Sequence, residues 1–419
     1  MRTPRTPTPT ARTLDAPVGG PLTAPSALER CVGDAEAFLA QRFGQEPNYR
    51  EGPSFDDLLS LADVDALLTG AGLRRPAVRL VRDGTPLPPA SWTRRVRTGA
   101  VTVDDLLDPA RVLELYAGGA TIVLQSLHRW WAPLTRFCRD LEQAIGHAVQ
   151  ANAYLTPRAS TGLAPHHDTH DVFVLQVHGA KHWTIRAPLI DQPLARQTSD
   201  RKRAGQQPVQ FEVDLRPGAC LYLPRGVIHS ALAEEGSSLH LTIGVLATTY
   251  HDVVRQVVAL AADVPSLRRP LPPGWATDPV IAQRAVKEAL ADLAEVVDGV
   301  DGSEMARALS ERYWSERPPP VHGLLLDLEA LAHLDDLTRV ELRPGVVWRA
   351  EPKGDRLELS VGARRIDLPA PVEPAVSRLL SGAVLSAAGL GDLLDQDSRL
   401  VLVRRLVREG LLRIVVDGA

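Results

Sequence analysis

The sequence predicts a mixed α and β chain whose core is a jelly-roll, a double-stranded β-helix, flanked by helical segments. Three observations lead there. Between residues 150 and 250 short apolar runs alternate with Gly, Pro and polar turns, with no helical pattern between them. Helical periodicity holds on both sides of that stretch. The last 80 residues return to short strands and close on a helix that runs into a strand. Evenly spaced antiparallel runs of this kind fit a sandwich or barrel, which removes or protects the strand edges.

A chain of 419 residues exceeds what one hydrophobic core usually supports, so two or three domains are expected. Its 44% hydrophobic and 23% charged residues are those of an ordinary globular protein, and a net charge of -4 gives no reason to expect nucleic acid or an acidic membrane as a direct partner. Cys31, Cys138 and Cys220 form no CxxC pair, which argues against a structural zinc site and against a disulfide framework. No apolar run reaches the roughly 18 residues that would span a bilayer. The first 25 residues, rich in proline and lacking an apolar core, read as a disordered lead rather than a signal or transit peptide, and the expected location is the cytoplasm.

From Ser26 to about Leu115 the pattern is one of short capped helices: SALERCVGDAEAFLAQRF, then Ser54 ahead of FDDLLSL and Asp63 ahead of VDALLTGAG. ATIVLQS at 120–126 reads as a strand. In PLTRFCRDLEQAIGH, Leu134, Phe137, Cys138, Leu141 and Ile145 share a helical face, with Pro133 at the first helical position and Gly146 as the stop. The β runs that follow are QANAYLTP, DVFVLQVHG, KHWTIRAP, VQFEVDL, GACLYLP and SLHLTIGVLATT. Helices return after Tyr250, most clearly in PVIAQRAVKEALADLAEVV at 279–297. Near the end, VVWRA, RLELSV and RRIDL read as strands, and SRLVLVRRLVREG running into GLLRIVV suggests a winged-helix-like module. From 340 to 419 twelve Lys plus Arg face eleven Asp plus Glu, so packing or dimerisation suits this module better than DNA reading.

Five of the twelve histidines fall in APHHDTHDVFVLQVHGAKHW, residues 164–183. In extended chain alternate side chains share a face, so His166 and Asp168 point together while His167 points away. A third ligand should come from another strand, and His229 in RPGACLYLPRGVIHSA, just past a strand ended by Pro224, is the candidate. Two imidazoles and one carboxylate on one side of an ion are the facial arrangement of non-haem Fe(II) oxygenases, and a zinc or cluster site would want thiolates this chain does not offer. An HxD triplet also arises by chance; its position at strand edges of an all-β region gives it weight. His167, His178 and His182 read as polar surface, and His170 as a neighbour of the ligands. Cys220, Trp130, Trp131 and Trp183 read as core.

NAYLTP, PHHDTHDVFVLQVHGAKHW and PGACLYLPRGVIHSA together closely resemble the JmjC-type ribosomal oxygenases, a cupin-fold family of Fe(II)- and 2-oxoglutarate-dependent protein hydroxylases. The resemblance is strongest between 150 and 245 and elsewhere is one of architecture. After the disordered lead (1–25) it implies a helical N-terminal segment (26–116), a JmjC/cupin catalytic domain (117–255), a helical dimerisation domain (256–335) and a winged-helix-like domain (336–419). It implies that His166, Asp168 and His229 hold the iron, that Lys181 pairs with the distal carboxylate of 2-oxoglutarate, and that Asn152 and Thr242 line the same pocket. O2 is then the oxidant, a protein side chain the substrate, commonly Arg or His of a ribosomal protein, and a homodimer the assembly. Two other readings stay open on sequence alone: a tailoring hydroxylase of a peptide or small metabolite, and a non-catalytic cupin regulator. A cupin isomerase or storage protein would carry a Glu where Val172 and Phe173 stand.

Overall fold

The computed structural model describes residues 26–161, 164–233, 236–317 and 320–415, with the backbone of Leu14 and Asp15. The disordered lead expected at 1–25 lies outside these residues apart from that pair, which forms a strand beside Ala350 and Arg349. The chain divides into two compact units, one spanning Pro21–Ala247 and the other containing Thr248–Ala419.

The first unit is built on two antiparallel sheets. Its principal strands are β1 (Asn48–Glu51), β2 (Val78–Arg82), β3 (Thr121–Leu124), β4 (Ala148–Thr156), β5 (Ser160–Thr161), β6 (Asp171–His178), β7 (Lys181–Arg186), β8 (Val209–Leu215), β9 (Ala219–Leu223), β10 (Ile228–Ala233) and β11 (Ser238–Leu246). The large sheet runs β1-β9-β6-β11-β4-β3-β2 and ends on the short strand Thr85–Pro86; the small sheet runs β8-β7-β10-β5. From β6 onward the chain passes back and forth between the sheets, in the manner of the predicted jelly-roll.

The period of two sorts each strand between two cores. Phe173, Leu175 and Val177 of β6, Leu239, Leu241 and Ile243 of β11, and Ala151 and Ala153 of β4 enter a large core shared with Leu28, Phe38, Phe55, Leu59 and the helix Ala132–Ile145. That helix starts with Pro133 in its first turn and stops at Gly146, whose φ of 73° is the left-handed cap the sequence predicts. Val172 and Val174 of β6, Trp183 and Ile185 of β7, and Leu221 and Leu223 of β9 form a second, smaller core. The polar site is built among the side chains of that second face.

The N-terminal segment departs from the expectation of helices alone. β1 and β2 extend the large sheet, and Thr93–Thr98 pairs with Val101–Leu107 in a separate hairpin. Pairing with an existing sheet satisfies backbone groups that a short apolar run cannot satisfy by itself, so tertiary context overrides local pattern. FDDLLSL forms turns rather than a helix. The helix after it, Leu61–Gly70, is capped by Ser60, while Asp63 closes a capping box from the third position. Within the β region a five-residue helix, Arg201–Gly205, is capped by Asp200. Trp131 packs against the large core, but Trp130, expected inside, is 37% exposed because it follows a surface 3-10 turn.

In the second unit, Trp348–Lys353, Arg356–Val361 and Arg364–Pro369 form consecutive antiparallel strands, and Arg339–Leu342 pairs with Leu385–Ser386 and Leu412–Ile414. The helix Gln396–Arg408 buries Leu402, Val403, Leu406 and Val407 in their core. The buried Arg343 guanidinium donates to the carbonyls of His322, Gly410 and Leu412 and to the Asp327 carboxylate. By contrast, in the helices Tyr250–Leu260, Pro279–Asp298 and Gly302–Ser315 only Ala285 is fully buried.

The turn joining β6 to β7 sets the position of Lys181 and depends on Gly179. Its φ is +64°, and an added Cβ would stand 1.9 Å from the Ser237 carbonyl oxygen. Gly179→Ala is therefore expected to lower unfolding free energy by at least about 2 kcal/mol. Urea unfolding followed by circular dichroism measures this directly.

Candidate active site

The loop carrying His166 is stitched to β10 by a two-bond antiparallel bridge: His166 N donates to His229 O (3.2 Å) and His229 N donates to His166 O (2.9 Å). Residues directly opposite in such a bridge share a face, and the two imidazoles stand 4.5 Å apart between centroids. His229, expected just past a strand, sits inside one. Gly226 N donates to Asp168 O (3.0 Å), fixing the far end of the loop.

The Asp168 carboxylate reaches both rings, with Oδ1 3.7 Å from His166 Nε2 and Oδ2 3.8 Å from His229 Nε2. One ligand atom from each of His166, Asp168 and His229 lies within 4.8 Å of the others, the one such cluster among the described residues. The Nδ1 atoms of the two rings lie 2.9 Å from Ala164 O and 3.1 Å from Val227 O. A carbonyl accepts only, so each Nδ1 carries the proton and each Nε2 offers a lone pair toward Asp168, the tautomer that metal ligation needs. Burial, together with the field of His166, depresses His229 to about 4, so it is neutral at pH 7. Burial opposes ionisation of Asp168, yet the surrounding histidines hold its carboxyl below the usual range.

β7 turns Lys181, Trp183 and Ile185 inward. Lys181 is 3% exposed, and its Nζ donates to Thr156 Oγ1 at 3.1 Å. Thr121 Oγ1 lies 3.3 Å from the same hydroxyl. Among the described residues no carboxylate pairs with Lys181, and burial alone pulls its ammonium down to about 7. Asn152 and Thr242 are a directly opposed pair on β4 and β11, both half-buried; Asn152 Oδ1 accepts from Ser126 N (2.9 Å).

The same register reveals residues not singled out in the sequence. Arg79, Val123, Tyr154 and His240 form one row across β2, β3, β4 and β11. Burial raises the Tyr154 phenol above its ordinary value, with Arg79 opposing that shift and Asp168 reinforcing it. His240 stacks on Tyr154 and meets Trp183, whose ring is 5.9 Å from His229. The signal for them was available: stepping by two from Asn152 gives Tyr154 and Thr156, and stepping back from Thr242 gives His240.

Of the remaining histidines, His178 is exposed and His182 faces outward, paired with Asp214 at 2.7 Å. His167, expected at the polar surface, is 4% exposed. The loop after β7 covers it: its Nε2 donates to Gln197 O (3.0 Å) and its backbone N donates to Ser199 Oγ (3.1 Å). His170 is half-buried against Gly244, with Nδ1 buried and unpartnered, and its field reaches Asp168 and His229.

Two facing sheets that enclose a His-Asp-His cluster define a cupin-type centre, and residues 128–253 match the JmjC domain family. Curated proteins to which the chain is similar include ribosomal oxygenases and a bifunctional lysine-specific demethylase and histidyl-hydroxylase NO66 of Drosophila persimilis. The chain is 33% identical to Ribosomal oxygenase 1 of Gallus gallus over 223 residues, covering 52% of this chain and 34% of that protein. It is 31% identical to Ribosomal oxygenase 2 of Bos taurus over 257 residues, covering 56% and 54%. The chain therefore spans about a third to a half of the length of these curated relatives. In fold it is similar to the E. coli protein ycfD, with a TM-score of 0.52 at 17% identity over 91% of this chain and 98% of that one.

Lys181→Met removes a buried cation while keeping most of its volume, so the protein without ligand should become more stable. With a folded pKa of about 7 against an unfolded value of 10.5, the unfolded chain binds more protons across that interval and the lysine's penalty shrinks as pH rises. The expected gain is about 2–4 kcal/mol at pH 7, falling toward zero by pH 10. Denaturant titrations at the two pH values test it.

Proposed function

We propose that this chain is an Fe(II)- and 2-oxoglutarate-dependent oxygenase that hydroxylates a protein side chain, Arg or His of a ribosomal protein. The observation that carries the reading is a His-Asp-His cluster and a buried lysine that no carboxylate pairs among the described residues, both facing the space between the same two sheets. A binding-only barrel has no use for either. The residues fit both groups. His166 and His229 turn lone pairs toward Asp168, a mixed nitrogen and oxygen donor set suited to iron, and Lys181 needs an anion it does not have.

In this reading His166, Asp168 and His229 hold the iron, and Lys181 anchors the distal carboxylate of 2-oxoglutarate. When bound, iron with 2-oxoglutarate and O2 supplies the oxidation that turns a substrate C–H into C–OH, while the cosubstrate loses CO2 and leaves as succinate. The carbonyls of Ala164 and Val227 hold the two rings in the ligating tautomer. Trp183, Ile185, Val172 and Val174 make the walls apolar and exclude water from the reacting atoms. Asn152 and Thr242 orient groups from the floor of the large sheet. No side chain is required as a general acid or base.

A groove of about 400 Å³ whose lining includes Ala164, Pro165, His182 and Thr184 lies on the outer face of the small sheet, beside the loop that carries His166. That similar proteins are named ribosomal oxygenases supports a ribosomal protein as substrate. Exposed Val258, Val286, Leu290 and Val297 on the helices of the segment 256–335 support a homodimer formed by it. The sequence of helix Gln396–Arg408 running into Leu412–Ile414 supports a winged-helix-like reading of 336–419.

His166→Ala and Asp168→Ala are expected to lose Fe(II) binding and to reduce succinate release to background; full turnover by either variant would remove the triad from the mechanism. Mass spectrometry of ribosomal proteins from cells with and without this chain should show one protein differing by a single oxygen. No difference on any of them would move the reading toward a tailoring hydroxylase.

A further inference from the structure

One buried histidine beside the site has no task so far. His240 is 3% exposed; its ring lies flat against Tyr154, with centroids 5.1 Å apart and planes within 5°, and meets Trp183 edge-on at 5.6 Å. Its Nδ1 is buried and makes no hydrogen bond among the described residues. Burial, followed by the fields of Lys181 and His229, holds this imidazole well below its ordinary pKa, so it carries an N–H without a charge. The hydrogen bond made by Lys181 is to the Thr156 hydroxyl, and no carboxylate pairs with either group among the described residues.

Lys181 bonds to Thr156, two residues along β4 from the Tyr154 on which His240 stacks, so a buried amine and a buried imidazole whose Nδ1 lacks an acceptor stand beside the same strand. Packing does not account for the pair, because a phenylalanine would stack on Tyr154 equally well and bring no unpaired nitrogen. What relieves both groups is an anion with two oxygens. We propose that His240 is a second binding residue for the distal carboxylate of 2-oxoglutarate, donating from Nδ1–H to one oxygen while Lys181 holds the other. The proposal rests on the cosubstrate reading above and adds to it a neutral donor on β11. Tyr154 fixes the plane of that ring, and Trp183 closes its edge.

The test is calorimetric titration of 2-oxoglutarate into the full chain loaded with Mn(II), which binds without turnover. His240→Phe keeps the stack on Tyr154 and removes the donor. It is expected to weaken 2-oxoglutarate binding about 10- to 100-fold, the worth of one hydrogen bond to a charged acceptor, with Mn(II) affinity unchanged within about twofold. His240→Asn, whose amide can present an N–H near the position of Nδ1, should recover most of the loss. In the wild-type chain, the ring nitrogen resonance of His240 should move to a hydrogen-bonded position when 2-oxoglutarate is added, a readout that needs no variant to fold. A His240→Phe protein that binds 2-oxoglutarate as tightly as wild type, or a His240 resonance indifferent to it, overturns the proposal and leaves the cosubstrate reading standing. A Mn(II)-loaded wild-type chain that does not bind 2-oxoglutarate overturns the cosubstrate reading itself.

Discussion

The site depends on two backbone hydrogen bonds, those that join His166 to His229 across 63 residues of chain. They convert a loop histidine and a strand histidine into directly opposed neighbours, which side-chain forces alone could not do reliably. Burial in that corner depresses His229, and the near carbonyls fix a proton on Nδ1 of each ring, so both Nε2 atoms are turned toward Asp168. The electrostatics of the cluster follow from where the backbone is pinned.

A second constraint is the period of two. On β4 and β11 the odd-numbered residues of the large core and the even-numbered residues of the site alternate: Ala151, Ala153 against Asn152, Tyr154; Leu241, Ile243 against His240, Thr242. A one-residue slip in any of these strands would send every polar group into the apolar core and every apolar one into the site. Stability and chemistry are therefore specified by the same register, and neither can drift without the other.

That register also explains what could be read in advance. His166 and Asp168 are two residues apart, so their shared face is a local fact. His229 could be proposed from the Pro-Gly turn and strand before it, although its own strand went unrecognised because Pro224 and Gly226 interrupt the pattern. Lys181 came only from resemblance, since nothing local distinguishes a buried lysine after a turn from a solvated one. His240 and Tyr154 required knowing which strands are neighbours, and His167 required knowing that a loop about thirty residues on folds over it. The all-β core was legible as a series of runs; β1 and β2 were not, because their strand character is conferred by the partner strands they join.

Those two strands have a further consequence for what counts as a unit. The family match covers 128–253, yet the large sheet is closed on one side by Asn48–Glu51 and on the other by Thr121–Leu124 and Val78–Arg82. Cut at the family boundaries, the piece would present β9 and β4 as bare edges and strip Leu28, Phe38, Phe55 and Leu59 from its larger core. The segment that carries the ancestry is thus smaller than the segment that can fold. The residues before it serve the chemistry as scaffold, although none of them ligates the metal in the assignment proposed.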